Sequence, residues 1–136
     1  MLRRWFKHVR NYTSCLTRLR NVYWVKYHLE YLRMWRESVK AVARAVRDLD
    51  PSAEVYVIGG AAEHRLTVLS DVDVVVVPSR VLDDASLNKL RRAIYARAVD
   101  FYNLPWDYPV EIHILTRREF DEAFTKKNKK IVRIEG

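Results

Sequence analysis

The chain is short of the residues that cross-link a fold or punctuate it. One cysteine, Cys15, among 136 residues excludes an internal disulfide and any cysteine-based zinc centre. No apolar run approaches the roughly 18 residues that a bilayer span requires, so a soluble, cytoplasmic protein with no membrane role is expected. Neither glycine nor proline occurs before Pro51, and no acidic residue occurs among the first 29. The second absence shapes the charge. Residues 1–47 carry twelve Lys or Arg against Glu30 and Glu37, a balance of +10, whereas residues 48–136 carry thirteen against fifteen acids, a balance of −2. The net +8 therefore belongs to the N-terminal arm and points to an acidic partner, either nucleic acid or protein.

What is present reads as one domain with a helical arm. A length of 136 residues with 49% hydrophobic content suffices for a core. Leu2, Trp5, Val9, Tyr12, Leu16, Leu19 and Tyr23 recur at helical steps. So do Val25, His28, Leu32, Trp35, Val39, Val42, Val46 and Leu49. Two helices are expected, with the break near Asn11 to Ser14 or at Asn21, whose side chains compete for backbone hydrogen bonds. Two strands follow, around Val55 and Val74, joined through Gly59-Gly60. Asp83 to Ser86 offers caps for a helix bearing Leu87, Leu90, Ile94 and Ala98. The turn-rich Leu104–Pro109 leads to a strand from Val110 to Leu115, then a short helix over Arg117–Phe124 and a short strand over Ile131–Ile134. The fold class is α/β or α+β, a small mixed sheet with helices packed on it. Residues 1–25 form a basic amphipathic helical arm, and residues 26–136 the domain.

The densest signal is chemical. Asp71-Val72-Asp73 opens an apolar strand with two carboxylates aimed to one face, because side chains two apart on a strand are co-facing. Such a pair demands something cationic to neutralise it, and a divalent metal serving a nucleoside triphosphate fits the turn at Gly59-Gly60. Glu111 lies on the strand Val110–Leu115 and shares a face with His113. If that strand lies beside the first, three carboxylates converge, enough to hold two Mg²⁺ about 3.5–4 Å apart in phosphoryl transfer.

Gly59-Gly60, ten residues, Asp71-Val72-Asp73 and a later strand acid, Glu111, together resemble the nucleotidyltransferase superfamily that includes DNA polymerase β. The chain is most similar to its minimal nucleotidyltransferases over residues Glu30 to Phe124. The resemblance implies the nucleotidyltransferase fold, a Mg²⁺ or Mn²⁺ cofactor and an NTP substrate, with ATP the first candidate. It also implies transfer of a nucleoside monophosphate to an acceptor hydroxyl. Asp71, Asp73 and Glu111 are the implied catalytic residues and metal ligands. Many such proteins pair with a HEPN-domain protein as antitoxin and toxin, so a HEPN-like partner or a second copy of this chain is expected on the arm. The alternatives are a catalytically weak binding module that neutralises its partner, and an RNA-directed nucleotidyltransferase. The family's small prokaryotic members also argue against reading the acid-free N-terminus as an organellar transit peptide.

Two positions depart from the pattern. The family's Gly-Ser is Gly59-Gly60 here, and the turn continues as Ala61-Ala62-Glu63-His64 where a basic residue and a further glycine are usual. Backbone N–H groups of Gly59 and Gly60 are still expected to cradle phosphate. The lost hydroxyl removes a hydrogen bond to a charged group, about 1.5–3 kcal/mol. Arg65, the cation nearest the turn, and Ser70 complete the nucleotide-binding set, although Ser70 reads first as a backbone-capping hydroxyl. Asp107 reads as a solvated turn acid, and His113 as a structural residue beside Glu111. His64 reads as an exposed loop side chain, Tyr95, Trp106 and Tyr108 as packing groups, and Lys126–Lys130 as a polar tail.

Overall fold

The computed structural model describes residues 14–66 and 70–135. Helix α1 (Ser14–Arg33) and helix α2 (Trp35–Leu49) are separated by Met34 alone. No break occurs at Asn21, through which α1 runs, and the described helices are interrupted at Met34; the alternative break, from Asn11 to the start of α1, lies outside the described residues. An Asn costs a helix only a fraction of a kcal/mol. At Met34, by contrast, the backbone turns to ψ 14° and its N–H bonds to Tyr31 O at 3.3 Å, one residue short of helical spacing. The next turn then buries Trp35.

Helix α2 is amphipathic by spacing. Trp35, Val39, Val42 and Val46 are buried, while Arg36, Lys40, Arg44 and Arg47 stay exposed. It stops before Pro51, which cannot continue a helix. Asp50 at its end accepts from the backbone N–H and hydroxyl of Ser79 at 2.9 and 2.7 Å, tying it to the loop after the second strand. Burial alone would raise the Asp50 carboxyl, but these bonds win and hold it below its ordinary value.

Strands β1 (Glu54–Ile58), β2 (Val72–Val77), β3 (Val110–Ile114) and β4 (Val132–Ile134) form one sheet in the order β3-β2-β1-β4. β1 pairs antiparallel with β2 and β4, and β2 pairs parallel with β3. Between β1 and β2 lies the single turn α3 (Gly59–Ala62). The parallel crossover is made by helix α4 (Asp84–Tyr102). Asp83 caps α4 by accepting from Ser86 N–H at 2.8 Å, and Asn103 ends it in the left-handed conformation. The expected α+β architecture with a mixed sheet is what the chain adopts.

Alternation along the strands divides two layers. Val55, Val57, Val72, Val74, Val76, Ile112 and Ile114 pack with α2 and α4 around Leu32, Val39, Val46, Ile94 and Ala98. The opposite face is covered over part of its area only. There Tyr56, Val75 and Val77 meet Phe120, which belongs to α5 (Arg117–Phe120) and stacks on Tyr56 at 4.4 Å between ring centroids. A π-helical turn over Asp121–Thr125 follows, and Phe124 packs against Phe120. A capping box between Thr116 and Glu119 fixes the start of α5. Asp48 bonds Arg97 at 2.7 Å and accepts from Tyr102, joining α2 to α4.

The layer under α4 carries a direct test. Ile94 is fully buried, so Ile94→Ala should cost about 2–5 kcal/mol by denaturant titration. Val81→Ala, at a side chain 89% exposed, should change stability by less than about 0.5 kcal/mol.

Candidate active site

β2 is a strand of valines interrupted once, by Asp73. Valine on both sides suits a central strand covered on its two faces; a carboxylate does not. Asp73 sits at the end of the second face that α5 leaves open, and its side chain keeps 32% of its surface exposed. The parallel register sets Asp73 directly beside Glu111 and Val75 beside His113. Co-facing then brings His113 to the same patch. Nε2 of His113 stands 3.3 Å from Oδ1 of Asp73 and 3.9 Å from Oε2 of Glu111. One ligand atom from each of Asp73, Glu111 and His113 lies within 4.8 Å of the others, a geometry able to hold a metal ion.

The other expected residues fall around this trio. Asp71 is exposed and lies one residue before β2, not within it. Ser70 precedes it, half-buried. Arg65 is exposed and its guanidinium pairs with Glu63, while its N–H closes the turn on Gly60 O at 2.7 Å. His64 is exposed, with a positive φ of 57°.

The two glycines differ. Gly59 has φ +68° and lies against the acid: a Cβ there would stand 3.0 Å from Oδ2 of Asp73. Left-handed backbone and the carboxylate together require glycine. Gly60 has no such conformation, and its Cβ would meet Arg65 O at 3.3 Å, a tight contact that a few tenths of an ångström relieve, with Arg65 C and Leu66 Cδ2 at ordinary distances of 3.6 and 3.8 Å. The same first glycine that turns the chain therefore leaves room for Asp73, and the helical turn α3 starts beside it with its leading N–H groups lacking intrahelical acceptors.

Glu111 is held from the far side. β3 is an edge strand, and α4 covers that edge. The Tyr95 hydroxyl donates to Val110 O at 2.7 Å and accepts from Ile112 N–H at 3.2 Å, gripping both neighbours of Glu111. Arg91 Nε donates to Ile112 O at 3.0 Å. Burial raises the Tyr95 pKa; the bond from Ile112 opposes this, while the charges of Glu111 and Asp71 add to it. Tyr95 thus feels both acids. The loop into β3 is anchored as well. Tyr108 is buried, which pushes its hydroxyl up to about 12, and it donates to Leu32 O at 3.3 Å. Tyr31 donates to Asp107 at 2.9 Å, so this acid is engaged by the junction of α1 and α2. Pro109 O accepts from Val72 N–H at 2.8 Å, locking the starts of β2 and β3 together.

A family model described as a nucleotidyltransferase domain matches residues 39–135, from within α2 through β4. The chain belongs to that family. No curated protein and no solved structure is significantly similar to it. The nucleotidyltransferase domain thus includes the turn, both strands bearing acids and the edge pinned by Tyr95, whereas all of α1 precedes the match. Among the described residues no helix is long and apolar enough to cross a membrane.

His113, expected to take a structural or supporting role beside Glu111, stands within the acidic group, 3.3 Å from Asp73; the signal was its position two residues after Glu111 on a strand. One reading from sequence alone needs amendment. Trp106 was expected to pack, but it is 76% exposed. Tyr95 and Tyr108 do pack, and Tyr95 also orders the strand that carries Glu111.

The asymmetry of the glycines predicts an asymmetric response. Gly59→Ala should cost about 1–2 kcal/mol for left-handed backbone alone and displace the Asp73 carboxylate. Gly60→Ser should fold with little loss. Thermal melts of the two variants check this, and equal destabilisation would contradict the assigned geometry.

Proposed function

We propose that this protein transfers a nucleoside monophosphate from an NTP, ATP first among candidates, to an acceptor hydroxyl with the help of Mg²⁺ or Mn²⁺. The observation that carries the reading is the convergence of Asp73 and Glu111 by parallel register, beside a glycine turn, within a nucleotidyltransferase domain. The donor chemistry fits a divalent cation: carboxylate oxygens on one open patch, with no lysine or arginine pairing recorded for Asp73 or Glu111 among the described residues. A bound cation would supply charge neutralisation at the phosphates and a more acidic acceptor hydroxyl.

The chain's own residues then take these roles. Asp71 and Asp73 hold the cation sites, and Glu111 completes the attacking side and accepts the acceptor's proton. The acceptor oxygen bonds to the α-phosphorus, the bond to the bridging oxygen breaks, and pyrophosphate leaves. Gly59 and Gly60 present backbone N–H groups to the triphosphate. Ser70 and Arg65 flank the nucleotide, Arg65 after exchanging Glu63 for phosphate. Gly60 contributes no hydroxyl, so turnover is low and Gly60→Ser should strengthen NTP binding. A cytoplasmic location, where NTPs are available, accords with this reading.

We assign the arm, residues 1–25, to docking a protein, either a HEPN-domain partner in an antitoxin-like pair or a second copy. The exposed Tyr27 and Met34 on and just beyond α1 support an apolar contact near it. An arm that neutralises a partner also serves if catalysis is weak.

Two experiments test these readings. NTP with Mg²⁺ or Mn²⁺ should raise the melting temperature of the parent, equivalent to about 2.7 kcal/mol at a hundredfold excess over Kd. Asp71→Asn with Asp73→Asn should remove the shift and keep the fold; a double variant that binds as tightly as the parent places the site elsewhere. Deleting residues 1–25 should leave NTP binding unchanged and abolish association with the protein partner, which should depend only mildly on salt. A steep linear fall of log K with log salt on RNA, without protein association, would instead identify nucleic acid as the arm's partner.

A further inference from the structure

The third donor at the site is a nitrogen. Mg²⁺ takes oxygen ligands and keeps much of its water, whereas imidazole suits first-row transition ions, and Mn²⁺ also accepts carboxylates. Nε2 of His113 lies 3.3 Å from the nearer oxygen of Asp73 and 3.9 Å from that of Glu111. Adjacent ligands of a six-coordinate ion with bonds near 2.1 Å stand about 3.0 Å apart. His113 Nε2 therefore needs to close by less than about 1 Å on each carboxylate oxygen, and all three atoms lie within 4.8 Å of one another, so movements of less than about 2 Å let them share one ion. The sheet fixes this arrangement: Asp73 and Glu111 are partners in register, and His113 follows on the same face. The His113 side chain is 38% exposed, and its recorded polar contacts are these two carboxylates.

We propose that His113 is a metal ligand, so that Asp73, Glu111 and His113 select a first-row transition-metal dication, represented by Mn²⁺, over Mg²⁺. The inference rests on the nucleotidyltransferase reading of this site and adds its metal preference. The competing role for His113 is to donate a hydrogen bond to Asp73 and orient it. In that role it would serve Mg²⁺ and Mn²⁺ equally. A ligand serves them unequally, because only the transition ion gains from the nitrogen.

The test uses the full chain with metal ion alone, without nucleotide, so that no base nitrogen intervenes. Pulsed electron paramagnetic resonance of the Mn²⁺-loaded parent should show coupling to a ¹⁴N nucleus, and this measurement needs no variant to fold. In titrations, His113→Ala should bind Mn²⁺ about tenfold or more weakly, comparable at least to losing a supporting partner of a metal ligand. Its Mg²⁺ affinity should change little. Absent nitrogen coupling in the Mn²⁺-loaded parent, or equal weakening for both ions, overturns the proposal and leaves the nucleotidyltransferase reading standing. A parent that takes up neither ion, with or without NTP, overturns that reading too, and the two failures are distinguished by whether a loaded form exists.

Discussion

A carboxylate in the central strand of a sheet must keep water, a cation or donors within reach, since burying it alone costs several kcal/mol even after relaxation. Asp73 imposes that requirement on everything around it. The helical layer of α2 and α4 seals one face of β2 completely, and α5 seals the opposite face over Val75 and Val77. Neither reaches Asp73. Gly59 gives up its side chain so that the carboxylate has room, at the cost of a backbone conformation only glycine takes without strain. The open patch is therefore the place where packing stops, and its position follows from which helix covers which part of the sheet.

Glu111 comes from an edge strand, where register is least constrained, and the protein fixes that register by side chains. Tyr95 bonds the backbone on both sides of Glu111, and Arg91 adds a third bond to the same stretch. These bonds also occupy groups that an edge would otherwise offer to another chain. At the other end, Tyr31 and Tyr108 moor the loop before β3 to the junction of α1 and α2. The last turn of α1 is thus in contact with the segment that delivers Glu111.

Much of this was legible in the residues. Apolar runs on either side of Gly59-Gly60 located β1 and β2, alternation located β3, and the start of α4 was readable because Asp83 acts through a backbone bond three residues away. A break at Asn21 did not form, and the interruption at Met34 was not foreseen, because propensity points to asparagine while this interruption accompanies the burial of Trp35 and the docking of Tyr31. The exposure of Trp106 was likewise invisible, since an aromatic between prolines carries no mark of which side faces solvent.

By itself the sequence determined the neighbouring acids Asp71 and Asp73, the glycine pair before them and the concentration of positive charge in the arm. Each of these depends on bonds and spacings within a few residues. Only the tertiary structure decided that Glu111 lies beside Asp73, that His113 completes the trio and that Gly59, not Gly60, makes room for the carboxylate. Those facts depend on strand register and on backbone approaches between segments remote in sequence, and no local preference encodes them.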